Sequence, residues 1–382
     1  MSPNIEVAVP FFADRHLPPQ AAGPFAQALS KSGVVDFFQS WDQLTSWWPA
    51  CLWNERTTPL ARVMGDCDSF QDAFVSAAFA AAAAPGLGLA VSTDALRRGP
   101  AELAQTALTL ADATGGRAVM MLGAGEVKQA RPFGYKRSEG LARMEDVLRL
   151  MPMLYGARTP VDYDGNVWTY RQAWIGGHAE HRPRVLAMGG GPKLIDLAAR
   201  YADGFVSMMP FAFSTPERYA QEVATIRGLL ERYGRDPEKF TFGLWHCTIL
   251  ADPAELDAMI DNPLSKWIGS VLGRFDQQEW RNEGLEPLFP EGWHYALKLL
   301  PAQMSAAEVD DIVARTPRAM VEKAFAHGTA EEVIKTVAAY TEAGATFHSI
   351  IDFGPSMRPL EAAAAGLEHQ LRLATLIKQL TR

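Results

Sequence analysis

Residues 118–122, Ala-Val-Met-Met-Leu, are an unbroken apolar run that closes on Gly123-Ala124-Gly125 and Glu126. An apolar run this short, with no alternation, is the pattern of a strand buried on both faces. The glycines let a ligand approach the backbone where the strand stops. A carboxylate follows at once. A buried parallel strand that opens into glycine and acid at its C-terminal end restricts the chain to α/β architectures with their chemistry at the strand ends.

The rest of the chain repeats this unit. Apolar runs predict strands at 5–12, 34–38, 87–92, 118–122, 184–188, 204–209, 240–250 and 347–353. Helical spacing predicts helices at 19–31, 71–84, 100–113, 138–154, 192–201, 215–233, 318–327, 329–343 and 359–380. Gly33 reads as the stop of the first helix, and Ser214-Thr215-Pro216-Glu217 as a helix entry. Eight strands alternating with helices argue for one (β/α)8 TIM barrel, an α/β fold, spanning 1–382 as a single domain. An open doubly wound sheet is the competing arrangement.

Two segments break the rhythm. Residues 39–70 carry Trp41, Trp47, Trp48 and Trp53, four of the ten tryptophans, and are too long for a simple connection, so a mouth loop is expected. Residues 252–316 are far longer than one crossover helix and read as an insertion after the seventh strand. A small hairpin is expected at 161–170, around Asp164-Gly165.

Composition narrows the function. With 48% hydrophobic and 21% charged residues, the 382-residue chain can bury one large core. A net charge of -8 argues against nucleic acid as a partner. Cys51, Cys67 and Cys247 form no CxxC and no disulfide framework, which fits a reducing cytoplasm. The first residues lack the basic and long apolar regions of a signal peptide. The longest apolar stretch, 73–84, is too short for a membrane span.

The strand ends supply the candidate site. Met188-Gly189-Gly190-Gly191-Pro192 is a glycine turn running into a helix, whose free N–H groups and positive dipole end would cradle a phosphate. An ordinary strand-to-helix turn is the alternative, since neither a Walker motif nor a complete G-x-G-x-x-G is present. Glu126, Asp42 and Asp94 could serve acid–base work or cap backbone amides. His246 could face the barrel or be a satisfied core histidine. His178 and His181 lack two further ligands, so no metal is expected. No GxSxG, Cys/His dyad or HExxH appears, which leaves nucleophilic hydrolysis without support. Phe12, Phe37, Phe38, Trp41, Trp47 and Trp48 gather near the first two strand ends, as an apolar wall for a large substrate or as a subunit interface.

Three blocks carry a family likeness: GLGLAVSTDALRRGPAELAQTALTLADATGGRAVMMLGAGE (86–126), RVLAMGGGPKLIDLAARYADGF (184–205) and PRAMVEKAFAHGTAEEVIKTVAAYTEAGATFHSII (317–351). Through them the chain resembles the luciferase-like flavin/deazaflavin oxidoreductases. Within these it looks like the actinobacterial enzymes that use coenzyme F420, closest to the phthiodiolone dimycocerosate ketoreductase branch. The resemblance implies a cytoplasmic oxidoreductase, commonly a dimer, that binds F420, with FMN as the alternative cofactor. It implies a non-proline cis peptide at Ala90–Val91 against the deazaflavin face, a bond that costs about 3 kcal/mol. It places Thr93 on the ring system, and Gly123, Gly125 and Gln129 along the cofactor. Met188, Gly189, Gly190 and Gly191 would hold its phosphate. Asp42 matches an acid near the ring, Trp47 a tryptophan of the active-site wall, and Glu126 a carboxylate beside the substrate. Gln43 stands where several relatives carry histidine, and a glutamine side chain cannot take a proton from an alcohol. Glu126 or Asp42 is then the expected proton donor in hydride transfer to a carbonyl or activated alkene. A flavin-dependent monooxygenase and a catalytically silent cofactor-binding protein are the rival readings.

Overall fold

In the computed structural model, which describes residues 5–380, eight parallel strands close into a barrel. Residues 1–4 and 381–382 of the expected domain lie outside the described residues. The staves are β1 (Glu6–Pro10), β2 (Phe37–Trp41), β3 (Gly88–Asp94), β4 (Ala118–Gly123), β7 (Arg184–Met188), β8 (Gly204–Met209), β9 (Thr241–Leu250) and β11 (Phe347–Asp352). They pair in the order β9-β11-β1-β2-β3-β4-β7-β8, and β8 closes the ring on β9. The (β/α)8 reading is correct, and the open sheet is excluded.

Alternation along the strands sorts side chains into two layers. Ala8, Ala90, Met121, Leu186, Val206, Trp245, Cys247 and Phe347 pack together inside the barrel. Val7, Val9, Leu89, Val91, Met120, Leu122, Ala187 and Leu244 face outward against the helices. The same inner cluster continues into Trp267, Ile268, Trp280 and Val321, so the residues after β9 are packed onto the barrel mouth. Residues 252–316 fold there as five α-helices and one short 3-10 helix, the α-helices including Pro263–Val271 and Tyr295–Lys298.

Several boundaries differ from expectation. The second strand is Phe37–Trp41 instead of 34–38. Its partners decide this: Phe37 pairs with both Ala8 and Gly88, and Trp41 with Ser92. Residues 326 and 327 are not helical. Ala326–Gly328 forms the short strand β10, paired with Thr248–Leu250 beyond the last β8 partner of β9. The hairpin is present as β5 (Val161–Asp164) and β6 (Thr169–Ala173). Gly33 ends the Ala22–Ser32 helix at φ 66, a backbone that glycine adopts without strain.

Candidate active site

One cavity of about 710 Å³ opens at the C-terminal ends of the strands. Its wall contains Asp42, Gln43 and Trp47 after β2, Thr93 and Asp94 on β3, Gly123–Glu126 and Gln129 after β4, and Met188–Gly191 after β7. Sequence reading had picked most of these positions individually, and folding brings them to one wall.

The glycine turn has the geometry of a cradle. Gly189 and Gly191 have φ of 139 and 89, and Gly191 caps the Pro192–Tyr201 helix without any side-chain hydrogen bond. A Cβ at Gly190 or Gly191 would meet nothing within 4 Å. Free helix N–H groups therefore face open space lined by small residues, which suits an oxyanion such as a phosphate. Gly125 is required for another reason: at φ 84 its Cβ would collide with Leu96 at 2.5 Å.

Asp42 is buried and fully engaged. Its carboxylate accepts hydrogen bonds from Thr93 Oγ1 at 2.7 Å, Arg98 Nε at 2.7 Å and Arg97 Nη1 at 3.4 Å. Burial alone would push its pKa up. The Arg98 hydrogen bond, the charges of Arg97 and Arg98 and the Thr93 hydroxyl outweigh it and hold the carboxyl below its ordinary range. Asp42 is therefore a poor proton donor, a correction to the expectation that it could serve as one. Asp94 is similarly occupied: it accepts from the Leu96 and Arg97 amides and from Arg97 Nε at 2.6 Å.

Glu126 meets a different set of groups. Trp47 Nε1 donates to it at 3.2 Å, and Lys128 Nζ lies 3.1 Å away. Lys128 is almost completely buried, and burial pulls its ammonium below the ordinary range against the opposing charge of Glu126. Its ammonium also donates to the Thr45 carbonyl at 2.7 Å, reaches Gln43 Oε1 at 3.5 Å and lies over the Trp47 ring, 5.3 Å from its centroid. Gln129 accepts from the Leu44 amide at 2.8 Å and donates to the Thr45 carbonyl at 3.0 Å, so it fixes the loop that carries Gln43 and Trp47. From the segment after β9, Tyr295 joins the same wall, and burial with the nearby charge of Glu126 pushes its phenol well above its usual range. Phe275, His294 and Leu297 complete this side of the wall.

Three sets of expectations change. The Ala90–Val91 peptide is trans; among the described residues the cis peptide is Met209–Pro210. Ala90 and Val91 are paired in register with Gln39 and Ser40 on one side and Val119 and Met120 on the other. That ladder leaves no bulge at this point, and neither residue lines the cavity. His246 does not reach the cavity either. Trp245 points inward and lines it, so its neighbour His246 points outward, where it stacks on His348 with Nε2 2.8 Å from the partner's Nδ1. Of the tryptophan loop, only Trp47 lines the cavity. Trp48 packs on Trp53 and Phe353, Trp41 stacks behind Trp245, and Phe12 sits edge-on to Phe70. Most of the supposed substrate wall is thus core that anchors the loop; Trp267 Nε1 donates to the Trp47 carbonyl at 2.7 Å.

Sequence reading missed Arg97, Arg98, Lys128, Arg137, His294 and Tyr295. The two arginines follow the β3 end directly and were legible as counterions for Asp42. Nothing in residue spacing points to His294 or Tyr295. Among the described residues, His178 and His181 belong to no cluster able to hold a metal, and no helix is long and apolar enough to cross a membrane.

The chain has several well-matched relatives. It is 27% identical over 337 residues to a phthiodiolone/phenolphthiodiolone dimycocerosates ketoreductase of Mycobacterium sp. (strain JLS), covering 84% of this chain and 87% of that protein. Its fold matches an F420-dependent secondary alcohol dehydrogenase in complex with an F420-acetone adduct, at TM-score 0.72 and 18% identity over 98% and 99% of the two chains. A long-chain alkane monooxygenase superposes with TM-score 0.67 and 15% identity over 99% and 92%. The family model for luciferase-like monooxygenases matches residues 53–346, and the chain belongs to that family.

Proposed function

We propose that the protein is a coenzyme F420-dependent reductase that transfers a hydride to a carbonyl or activated alkene of a bulky, largely apolar substrate. The carrying observation is one cavity that joins an open glycine cradle at a helix N-terminus to the Glu126–Lys128 pair. The names of the mycobacterial ketoreductase and of the F420-dependent alcohol dehydrogenase support this reading.

Gly189, Gly190 and Gly191 would hold the phosphate of the deazaflavin cofactor, and Thr93 and Gly123 would border its ring. When bound, the reduced cofactor supplies the hydride; the protein supplies position, charge and protons. Trp47 and Gln129 fix the loop beside the reacting centre. The proton for the product comes through the buried pair: it passes from the Lys128 ammonium to Glu126 and on to the substrate oxygen or carbon, and Lys128 is recharged from solvent. Asp42, held by Arg97 and Arg98, sets the local field and transfers no proton. The apolar character of the substrate is read from Trp245, Phe275, Phe213, Leu297 and Met208 on the wall. All three cysteines are free, in keeping with action in a reducing cytoplasm, and a homodimer is the assembly we infer from the family likeness.

Titration with reduced F420, reduced FMN and NADPH, each followed by addition of a ketone, tests the proposal. Oxidation of reduced F420 that depends on the ketone supports it. The alkane monooxygenase fold favours one rival, an FMN-dependent monooxygenase. Oxygen uptake coupled to reduced FMN, with no F420 affinity, would establish that rival.

A further inference from the structure

His294 enters the cavity from the segment after β9, at the N-cap of the Tyr295–Lys298 helix. Its Nδ1 accepts a hydrogen bond from the Ala296 backbone N–H at 3.2 Å. An uncharged imidazole that accepts at Nδ1 must carry its proton on Nε2. Burial, followed by the neighbouring charge of Arg137, holds this imidazole below its ordinary range, with Glu126 opposing. One ring face lies against Tyr295 at 5.1 Å, and Phe275 packs at 5.2 Å in a tilted arrangement. These contacts clamp the ring, and within the described residues Nε2 has no partner.

We infer that His294 donates a hydrogen bond from Nε2 to the oxygen of the substrate carbonyl. The inference rests on the hydride-transfer reading above. The hydride pair forms the new C–H bond at the carbonyl carbon, and the C=O π pair moves onto oxygen. The N–H of His294 stabilises that developing charge, and a proton arriving through Lys128 and Glu126 then gives the alcohol. His294 thus joins Glu126 as a second polar group aimed at the reacting atoms, brought by the segment after the seventh barrel strand.

Two substitutions separate this role from simple capping. Asparagine is a good N-cap residue whose Oδ1 can replace Nδ1 as acceptor, but it has no donor at the Nε2 position. His294→Asn should leave the unfolding midpoint and the affinity for reduced F420 close to those of the native protein. It should lower kcat/KM for undecanone by about a hundredfold, the usual effect of losing one oxyanion donor. His294→Gln, which places an N–H near the Nε2 position, should recover part of the loss. A merely structural histidine predicts native kcat/KM in His294→Asn, and that result overturns the inference. Nitrogen NMR of the native protein, assigned by comparison with His294→Asn, gives a readout independent of turnover. Protonation on Nε2 supports the assignment, and protonation on Nδ1 overturns it. A native protein that oxidises no reduced F420 with any carbonyl refutes the hydride-transfer reading instead, while the NMR result still decides the tautomer.

Discussion

Lys128 Nζ lies 3.1 Å from Glu126 Oε2, and only 3% of the lysine side chain is exposed. A buried ammonium is costly unless paired, and here Glu126 and the Thr45 carbonyl supply its partners. Glu126 lines the cavity, and Lys128 lies buried behind it.

Lys128→Met removes the cation but keeps the apolar stem. The substitution leaves the Thr45 carbonyl and Glu126 without their shared donor and is expected to cost about 3 kcal/mol of stability, measured by urea unfolding. Turnover should fall with it, while an unchanged kcat would exclude Lys128 from proton delivery.

Glu126→Gln keeps the shape and the contact with Trp47 Nε1. Turnover should fall about a hundredfold with affinity for reduced F420 nearly unchanged, read by stopped-flow and equilibrium titration. A fully active variant would take Glu126 out of the mechanism.

Gly190→Asp tests the cradle. The Cβ has open space, so stability should stay within about 0.5 kcal/mol. A carboxylate beside the helix N-terminus would repel a phosphate, and the F420 dissociation constant should rise about tenfold or more. An unchanged constant would place the cofactor phosphate elsewhere.

The outward-facing histidines predict an acid-sensitive stability. Burial pulls the His348 pKa down to about 4, from an ordinary value of 6.5. A depressed folded pKa means that the unfolded chain takes up the proton first. Its contribution is complete above pH 6.5 and is lost as pH falls towards 4, on the order of 3 kcal/mol. Asp352, raised to about 6 chiefly by burial, works in the opposite direction over part of that window. The His348 contribution is therefore read as a difference: the stability gap between native protein and His348→Asn should shrink by about 3 kcal/mol from pH 7 to pH 4. A constant gap would mean that His348 titrates normally in the folded state.

Much of the fold was legible because buried parallel strands announce themselves as apolar runs, as at Ala118–Gly123 and Gly204–Met209. The second strand slipped by three residues because Phe37–Trp41 mixes polar and aromatic residues, and only pairing with β1 and β3 fixes its limits. The glycine cradle was legible because a turn and a helix start are local. His246 was misplaced as a candidate, although Trp245 beside it could have settled its direction by alternation. The tryptophans misled because loop position does not say whether a ring faces a ligand or the core. Lys128, His294 and Tyr295 stayed hidden because their meaning comes from distant partners: Tyr295 meets Glu126 only after about 170 residues of intervening chain have folded.

The proposed reaction is hydride transfer from a reduced deazaflavin to a carbonyl within one cavity. Stopped-flow mixing of the native protein with reduced F420 and undecanone measures this most directly. Ketone-dependent reoxidation of F420, with undecanol formed in equal amount, is the predicted result. Tight binding of reduced FMN, oxygen consumption and no affinity for F420 would contradict it.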